Sequence, residues 1–339
     1  MTAVNQKIVL AEMPQGAVGP EHFSLEVEDL GPLEEGQVRI AVDYISIDAF
    51  IRTTLRDGSF HQSVGVGGTI GALGAGHVID SGSEQFHVGD AVKGPVGAQT
   101  VATVPAQYLE TVDESLAPLS AHLGALGLTT GLTAWVGVRD IGRPQPGETF
   151  VVSAAAGAVG SIAGQIARMD GARVIGIAGG PAKAAHLVDE LGFDAAIDYK
   201  NDDVAARLQE LAPDGVNVYF DNVGGELLDV VLDQMAERGR IVICGAISQY
   251  ERTGDVRGPS LYLRLAERQC RMEGFAVFHF PESYAPATAE LAGWLADGSI
   301  VMTEQVVKGI ERFPEALETM FTGGNVGKLL VHIERQGEG

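Results

Sequence analysis

Thr149-Phe-Val-Val-Ser-Ala-Ala-Ala-Gly-Ala-Val-Gly160 runs on into Ser161-Ile-Ala-Gly-Gln-Ile-Ala-Arg168. An apolar run, a glycine turn and an amphipathic segment follow one another, so the stretch reads as a buried strand, a tight turn and a helix. That order suits a dinucleotide pyrophosphate. Gly157 lets the backbone approach phosphate, Gly160 lets the helix pack on its strand, and the helix N-terminus presents N–H groups and the positive end of its dipole. The register is that of G-x-G-x-x-G, with Ala155 in place of the first glycine. The strand before it and the helix after it give the motif its weight.

The choice of dinucleotide falls downstream. The next strand, Ala172-Arg-Val-Ile-Gly-Ile-Ala178, ends in Gly179-Gly180. An NAD-preferring fold places an acid there to hold the ribose 2′-hydroxyl. Here that acid is missing, so a 2′-phosphate meets no repulsion, and Lys183 follows with positive charge. Tyr199 and Lys200, after the strand Ala195-Ala-Ile-Asp198, flank the same end. These features favour NADP(H) over NAD(H), although Lys183 taken alone reads as an ordinary helix lysine.

At 339 residues the chain is long for one core, and two domains are expected. A net charge of −22 argues against nucleic acid and anionic membrane surfaces. No apolar run reaches the length of a membrane span. The N-terminus carries no charged-then-apolar signal pattern, so the expected location is cytoplasmic by default. The two cysteines, Cys244 and Cys270, read as core fillers rather than a disulfide.

The first third reads as short strands separated by Gly and Pro turns: Lys7–Ala11, Phe23–Val27, Gln37–Tyr44, Gly74–Ser81, Asp90–Lys93 and Thr100–Val104. Their spacing predicts an irregular β-barrel. The middle alternates. Helices are expected at Pro181–Leu191, Asp203–Leu211 and Gly225–Met235, and strands at Ala195–Asp198, Val216–Asp221 and Arg240–Cys244. This is the α/β pattern of a doubly wound parallel sheet. The strand ends read Gly179-Gly180, Tyr199-Lys200, Asp221-Asn-Val-Gly-Gly225 and Gly245-Ala-Ile-Ser248, so ligand-binding chemistry collects at the carboxyl edge. Glu251–Gly258 reads as polar and irregular, Pro259–Cys270 as a helix, Met272–Phe278 as a strand and Glu282–Asp297 as a helix. The last segment, from Glu304-Gln-Val-Val307 to Leu329-Leu-Val-His-Ile333, reads as strands and turns that cross back to complete the first domain.

Several further runs carry a resemblance over nearly the whole length. They include Tyr44-Ile-Ser-Ile-Asp-Ala-Phe-Ile-Arg52, Gly131-Leu-Thr-Ala-Trp135, Val152–Gly160 and Gly192-Phe-Asp-Ala-Ala-Ile-Asp-Tyr-Lys200. Tyr219-Phe-Asp-Asn-Val-Gly-Gly225, Cys244-Gly-Ala-Ile-Ser-Gln-Tyr250 and Gly324-Asn-Val-Gly-Lys328 complete the set. The chain resembles the zinc-independent branch of the medium-chain dehydrogenase/reductase superfamily, the NADPH-dependent double-bond reductases that act on prostaglandins, leukotrienes, curcumin and alkenals. The resemblance implies a Rossmann NADP-binding domain over 127–302 and a GroES-like barrel, the substrate domain, over 1–126 and 303–339. It implies Gly157, Val159 and Gly160 at the pyrophosphate, and Gly180, Lys183 and Tyr199 at the 2′-phosphate and adenosine. It places Asn222, Cys244, Ser248 and Tyr250 along the ribose and pyrophosphate, and Phe275, Val277 and Asn325 at the nicotinamide. Relatives are commonly homodimers, which the last strand of the sheet would extend across a two-fold axis. Two positions depart from the family: Ala49 and Phe50 replace a proline and a tyrosine, and Glu267 stands where many relatives carry a tyrosine.

Zinc is not expected. A structural site needs four closely spaced ligands, and no cysteine precedes Cys244 to join His77 or His87 in the first domain. Without a metal, an enone or enal that receives hydride at its β-carbon needs a hydrogen-bond donor at its carbonyl oxygen. A tyrosine hydroxyl donates without ionising. The candidates, in order, are Tyr250, Tyr262 and Tyr44, with the cofactor ribose as a further donor. Tyr44, Phe50, Trp135, Phe278 and Phe280 would line an apolar cleft for a small hydrophobic enone or enal. A quinone reductase of the same superfamily and a catalytically silent NADPH-binding protein stand as alternatives. An alcohol dehydrogenase is disfavoured for want of zinc ligands.

Overall fold

A computed structural model describes residues 4–56, 62–251, 256 and 258–334. The polar stretch Glu251–Gly258 falls largely outside the described residues. Along the chain come β1 (Val4–Leu10), β2 (Phe23–Asp29), β3 (Gln37–Ser46), α1 (Phe50–Thr54), β4 (Gly74–Ser81), β5 (Ala91–Gly94), β6 (Val101–Pro105) and β7 (Glu110–Thr111). A helical stretch, Leu128 to Gly142, follows. It has α2 (Thr133–Val136) at its centre and π-helical turns on both sides. Then come β8 (Thr149–Ser153), α3 (Ala158–Met169), β9 (Arg173–Ala178), α4 (Pro181–Asp189), β10 (Ala195–Asp198), α5 (Val204–Leu211), β11 (Val216–Asp221), α6 (Gly225–Leu232) and β12 (Met235–Ile243). The chain continues with α7 (Ile247–Tyr250), α8 (Leu263–Glu267), β13 (Arg271–Gly274), α9 (Tyr284–Asp297), β14 (Glu304–Lys308), α10 (Phe313–Phe321) and β15 (Lys328–His332).

Two compact units result: Met1–Gly124 with Glu304–Gly339, and Ala125–Thr303. The first is built on a seven-stranded sheet ordered β14-β15-β3-β4-β5-β7, with β6 on the other part of β3, and on the β1–β2 hairpin. Alternation along β3 sends Val38, Ile40 and Val42 inward, where they meet Ile8, Leu10, Val92, Ala102, Phe313 and Leu317.

The second unit holds a six-stranded parallel sheet ordered β10-β9-β8-β11-β12-β13. Counted along the chain this is 3-2-1-4-5-6, the Rossmann order, as the sequence pattern predicts. Helices cover both faces, so the inner strands are buried along their length and read as continuous apolar runs. Phe150, Val151 and Val152 of β8 and Val218, Tyr219 and Phe220 of β11 are all fully buried. The strand order reverses between β8 and β11, and ligands bind at the carboxyl ends of such a pair.

Four expectations differ from the structure. The helix expected over Gly225–Met235 stops at Leu232, because the chain is drawn into the sheet: the Val216 N–H donates to the Gln234 carbonyl (2.9 Å) and Met235 opens β12. The helix expected over Pro259–Cys270 shrinks to Leu263–Glu267. Its start is held by the Asp229 carboxylate, which accepts the Ser260 and Leu261 N–H groups, and its end by Gln269 at φ +55°. The strand expected over Met272–Phe278 ends at Gly274, where its partner β12 also ends at Ile243, and Val277–His279 forms a 3₁₀ turn. The return segment contains a helix, α10, as well as strands. Its buried Phe313, Ala316 and Leu317, with Met320 behind them, follow the helical spacing i, i+3, i+4, i+7.

Among the described residues no helix is long and apolar enough to cross a membrane. Both cysteines are free thiols.

The packing of α10 is directly testable. Leu317 is fully buried in the barrel core. Leu317→Ala is expected to destabilise the protein by about 2–5 kcal/mol. Urea unfolding followed by far-ultraviolet circular dichroism measures it; a change below 1 kcal/mol, far outside that range, would contradict the packing.

Candidate functional site

The pyrophosphate turn is shaped by steric exclusion. Gly157 caps α3 in an extended conformation (φ −87°, ψ 178°). A Cβ on Gly160 would lie 2.5 Å from the Ala154 carbonyl oxygen and 2.9 Å from the Ala155 Cα, both backbone atoms that cannot swing aside. Ala154 itself sits at φ +48°, the left-handed region that an alanine enters at a cost of about 1–2 kcal/mol. The turn thus holds local backbone strain at the N-terminus of α3. Val159 lies in the first turn of α3.

Beside this turn, the switch point is organised by Asp221, the last residue of β11 and fully buried. One carboxylate oxygen accepts from the Ser153 hydroxyl (3.1 Å), the Tyr219 hydroxyl (2.9 Å) and the N–H groups of Val223 and Gly224 (both 2.9 Å). Its other oxygen is buried with no hydrogen-bond partner among the described residues. Burial pushes the Asp221 carboxyl above its usual range, while the Gly224 and Val223 N–H groups and the two hydroxyls hold it down. The Asp221 carbonyl accepts from Cys244 (2.9 Å) and Gly245 (3.1 Å). Burial, with the Asp221 charge behind it, pushes the Cys244 thiol up to about 12, so it is a neutral wall residue, not a nucleophile.

Asn222 bridges the two strand ends. Its N–H donates to the Ser153 hydroxyl (2.9 Å) and its side-chain amide to the Ser153 carbonyl (2.8 Å). The following turn docks on it. The Ile247 N–H donates to the Asn222 carbonyl (3.1 Å), and the Ser248 hydroxyl to the Val223 carbonyl (2.6 Å). Tyr250, at the end of α7, accepts the Ala246 N–H on its hydroxyl oxygen (3.2 Å). Asn222, Cys244, Ser248 and Tyr250 therefore share one hydrogen-bonded corner.

The ends of β9 and β10 form a second corner. Gly180 has φ +97°, where a side chain would be strained, and its N–H donates to the Asp198 carboxylate (2.6 Å). Asp198 also accepts from the Lys200 N–H (3.1 Å) and the Asn201 amide (2.6 Å), with Asn201 the main cause of its lowered pKa. The Tyr199 ring lies over Gly179, where a Cβ would stand 2.9 Å from it. Lys183, in the first turn of α4, has its pKa lowered by burial and then by the nearby charge of Lys200. A partly buried lysine with a second, exposed lysine near it gains from a neighbouring anion.

The other sequence candidates are placed differently. The Phe275 ring packs toward Gly137 and meets Phe280 edge-on at 6.3 Å, and its N–H reaches the Ile243 carbonyl at 3.4 Å. Val277 is buried, and its carbonyl accepts the Tyr284 hydroxyl (3.2 Å). Trp135 is buried with its indole N–H committed to Glu290 on α9 (2.9 Å), which makes it a packing residue of this unit. Phe278 is half exposed against His279 (4.6 Å). Tyr262 is an exposed residue at the start of α8, separate from the corner that holds Tyr250.

In the barrel unit, the Tyr44 ring stacks on His332 (4.9 Å), and burial, then Glu304 and Asp43, raise its pKa. Phe50 opens α1 and packs partly on the barrel core. The Asn325 amide donates to the Gly327 carbonyl (3.2 Å). His77 bonds Asp43 (2.7 Å), and His87 is exposed beside Asp90. Among the described residues no group of His, Cys, Asp or Glu side chains is arranged to hold a metal ion.

Sequence reasoning gave no individual role to Ser153, Asp198 and Asp221. Each ends a strand of the parallel sheet, and a polar residue closing an apolar run was the available signal. Together the strained turn, the lysine corner and the Tyr250 corner suit a dinucleotide carrying a 2′-phosphate.

Residues 158–293 match the family model described as zinc-binding dehydrogenase, and residues 6–112 match the N-terminal domain of oxidoreductase. A Bacillus subtilis protein provisionally named an NADP-dependent oxidoreductase is 42% identical, covering 98% of this chain and 99% of that protein. The NADP(+)-dependent 2-alkenal reductase of Nicotiana tabacum is 36% identical over 98% of both chains. The crystal structure of CurA from Vibrio vulnificus in complex with NADPH superposes with a TM-score of 0.91 at 36% identity, covering 97% of this chain and 99% of that one. A quinone oxidoreductase of Pseudomonas syringae pv. Tomato follows at 0.77 and 28%, covering 97% and 99%. The chain belongs to the medium-chain dehydrogenase/reductase superfamily, in its double-bond reductase branch.

Two outcomes follow from this geometry. Lys183→Ala should weaken NADPH binding about 10- to 100-fold, the worth of a hydrogen bond to a charged group, and leave NADH unchanged. A lysine attracts a dianion only while it is charged, and the Lys183 pKa is lowered from the ordinary 10.5. NADPH affinity should therefore be full below the depressed value and fall as pH rises through it, with NADH affinity flat. Titration calorimetry of both cofactors across alkaline pH checks the pair of expectations; equal pH dependence for NADPH and NADH would refute them.

Proposed function

We propose that this chain reduces the C=C bond of α,β-unsaturated ketones and aldehydes at the expense of NADPH. Its family makes it an NADP-dependent oxidoreductase. The substrate class is our reading, and one observation carries it: the Tyr250 hydroxyl, oriented by the Ala246 N–H, stands in the corner built by Asn222, Cys244 and Ser248. The 2-alkenal reductase and the NADPH-bound CurA structure support the same reading.

Gly157, Val159 and Gly160 would take the pyrophosphate on the N-terminus of α3. Gly180, Lys183, Tyr199 and Lys200 would hold the 2′-phosphate and adenine. Asn222, Cys244, Ser248 and Tyr250 would follow the ribose, with the Phe275 and Val277 backbone and Asn325 toward the nicotinamide. When bound, the cofactor supplies the hydride that the substrate β-carbon receives. Negative charge then gathers on the substrate carbonyl oxygen. Tyr250 donates a hydrogen bond to that oxygen and lowers the energy of the developing enolate. An oxygen that accepts a backbone N–H is a better donor through its own proton, because the accepted bond stabilises negative charge on the phenol. The α-carbon takes its proton from this hydroxyl or from water. Tyr44 and Phe50 give the barrel unit apolar surface suited to a hydrophobic enone or enal. Trp135 keeps its indole turned to Glu290. Tyr262 is the weaker donor candidate because of its exposure. No metal takes part in this scheme. A cytoplasmic homodimer, joined along the outer edge of β13, completes the reading.

A quinone reductase is the second reading, favoured by the Pseudomonas syringae structure. A panel of a long 2-alkenal, a phenyl-conjugated enone and a quinone, followed by NADPH oxidation and product mass, separates them. Saturated carbonyl products support the proposal; hydroquinone as the sole product overturns it, and cofactor binding without turnover points to a silent binding protein. Tyr250→Phe should lower kcat about 100-fold, well beyond any change in the NADPH Kd. An unaltered kcat would remove Tyr250 from the chemistry.

A further inference from the structure

Two of the sequence runs that mark the family, Tyr44–Arg52 and Gly324–Lys328, meet inside the barrel unit through a pair the proposed chemistry leaves unused. The Lys328 ammonium donates to the Asp48 carboxylate at 2.9 Å, and the side chains are 1% and 8% exposed. Among the described residues this is the one ion pair with both partners so enclosed. The Ser46 hydroxyl donates to the second Asp48 oxygen, which fixes the rotation of the carboxylate.

The register explains the meeting. β15 runs antiparallel to β3 with Leu330 opposite Ser46, and the Ile47 N–H donates to the Leu329 carbonyl at 3.1 Å. Continued by two residues, that register sets Lys328 opposite Asp48. The pair therefore closes the sheet at the end where β3 has run out and β15 is beginning. Two pieces of chain leave that end. One follows Asp48 directly into Phe50 and α1, where the Thr53 hydroxyl caps back onto the Phe50 carbonyl at 2.6 Å. The other is the turn before Lys328, which carries Asn325 and is tied by the Val326 N–H to the Gln305 side chain at 3.3 Å.

An apolar pair of similar volume would fill the same space and often stabilises a protein as well as a buried ion pair does. Apolar packing lacks direction, however, whereas a carboxylate gripped by an ammonium and a hydroxyl has one orientation. We propose that the Asp48–Lys328 pair is a positioning device: it locks the Phe50 segment and the Asn325 turn to each other, so that the residues facing substrate and cofactor on the barrel unit keep a fixed relative placement. Asp48 and Lys328 act through Phe50 and Asn325 and do not themselves meet the reactants. The inference rests on the roles proposed above for those two residues.

The test is the double variant Asp48→Asn/Lys328→Met in the full-length protein, which removes both charges together. Lys328→Arg serves as the charge-retaining control. Asp48→Asn/Lys328→Gln, which removes both charges and keeps a polar partner for Ser46, replaces the double variant if that one fails to fold. Hydrogen exchange read by mass spectrometry gives the placement directly. The double variant should melt close to the parent by circular dichroism, with faster exchange confined to residues 47–56 and 322–328. KM for the carbonyl substrate should rise at least about 10-fold, the cost of a misplaced contact surface, with the NADPH-over-NADH preference unchanged and Lys328→Arg near the parent. If the parent protein reduces only quinones, the enone reading fails, and the same KM comparison with the quinone still decides the positioning role. Unchanged exchange in both segments, or faster exchange with KM and kcat unaltered, would overturn the proposal and leave the pair a purely structural contact.

Discussion

The buried carboxylate of Asp221 is the constraint on which the nucleotide-binding unit turns. A charge fully withdrawn from water must be answered by donors, and the answers come from three separate pieces of chain: the end of β8 through Ser153, its own strand through Tyr219, and the following turn through Val223 and Gly224. Its carbonyl gathers a fourth piece, Cys244 and Gly245. Parallel strands have no hairpins to fix where their ends lie. A polar hub at the switch point does that work, and it converts a stack of apolar strands into a surface with defined donors and walls. Replacing it by a leucine would strand several donors in the interior, each at a cost of about 1–3 kcal/mol.

Charge is managed locally against a strongly acidic background. The chain carries a net charge of −22, yet at the lysine corner Lys183 feels the charge of Lys200, and the one neighbouring acid that ends β10, Asp198, has its carboxylate turned to the Gly180, Lys200 and Asn201 N–H groups. An acid at the end of β10 thus does the opposite of an acid at the end of β9. It holds the glycine turn through the Gly180 N–H. The Cys244 thiol shows the same economy: burial and the Asp221 charge keep it neutral, so it contributes shape and no reactivity.

Much of this was legible in the sequence, for identifiable reasons. Gly74–Ser81, Ala195–Asp198 and Val216–Asp221 have the bounds expected from their residues, because apolar runs ending in Gly or Asp mark where ladders stop. The glycine turn was legible because short-range stereochemistry carries it. What escaped depended on partners distant in sequence. Residues 233–235 have helical composition but are claimed by β11, and Met272–Phe278 looks extended until its partner strand ends. Trp135 passes for a pocket aromatic unless Glu290 is known to hold its indole, 155 residues away. Asp221 and Asp198 were visible as strand-end acids, but their partners come from strands and turns that only the fold assembles. The helix α10 is a different failure: its spacing was present, and the strands around it drew the reading away.

The chain has two tryptophans, and the packing of one helix fixes both. Trp135 is hydrogen-bonded to Glu290, and Arg139, which bridges Glu290 and Asp170, lies over the Trp294 ring at 5.5 Å from its centroid. Both fluorophores therefore report on the neighbourhood of α9 in the nucleotide-binding unit, and the barrel unit is dark to indole emission. A melting curve read by tryptophan fluorescence would describe half of this molecule while passing for the whole. Any separation between it and a curve read by backbone dichroism would be a measure of how independently the two units come apart.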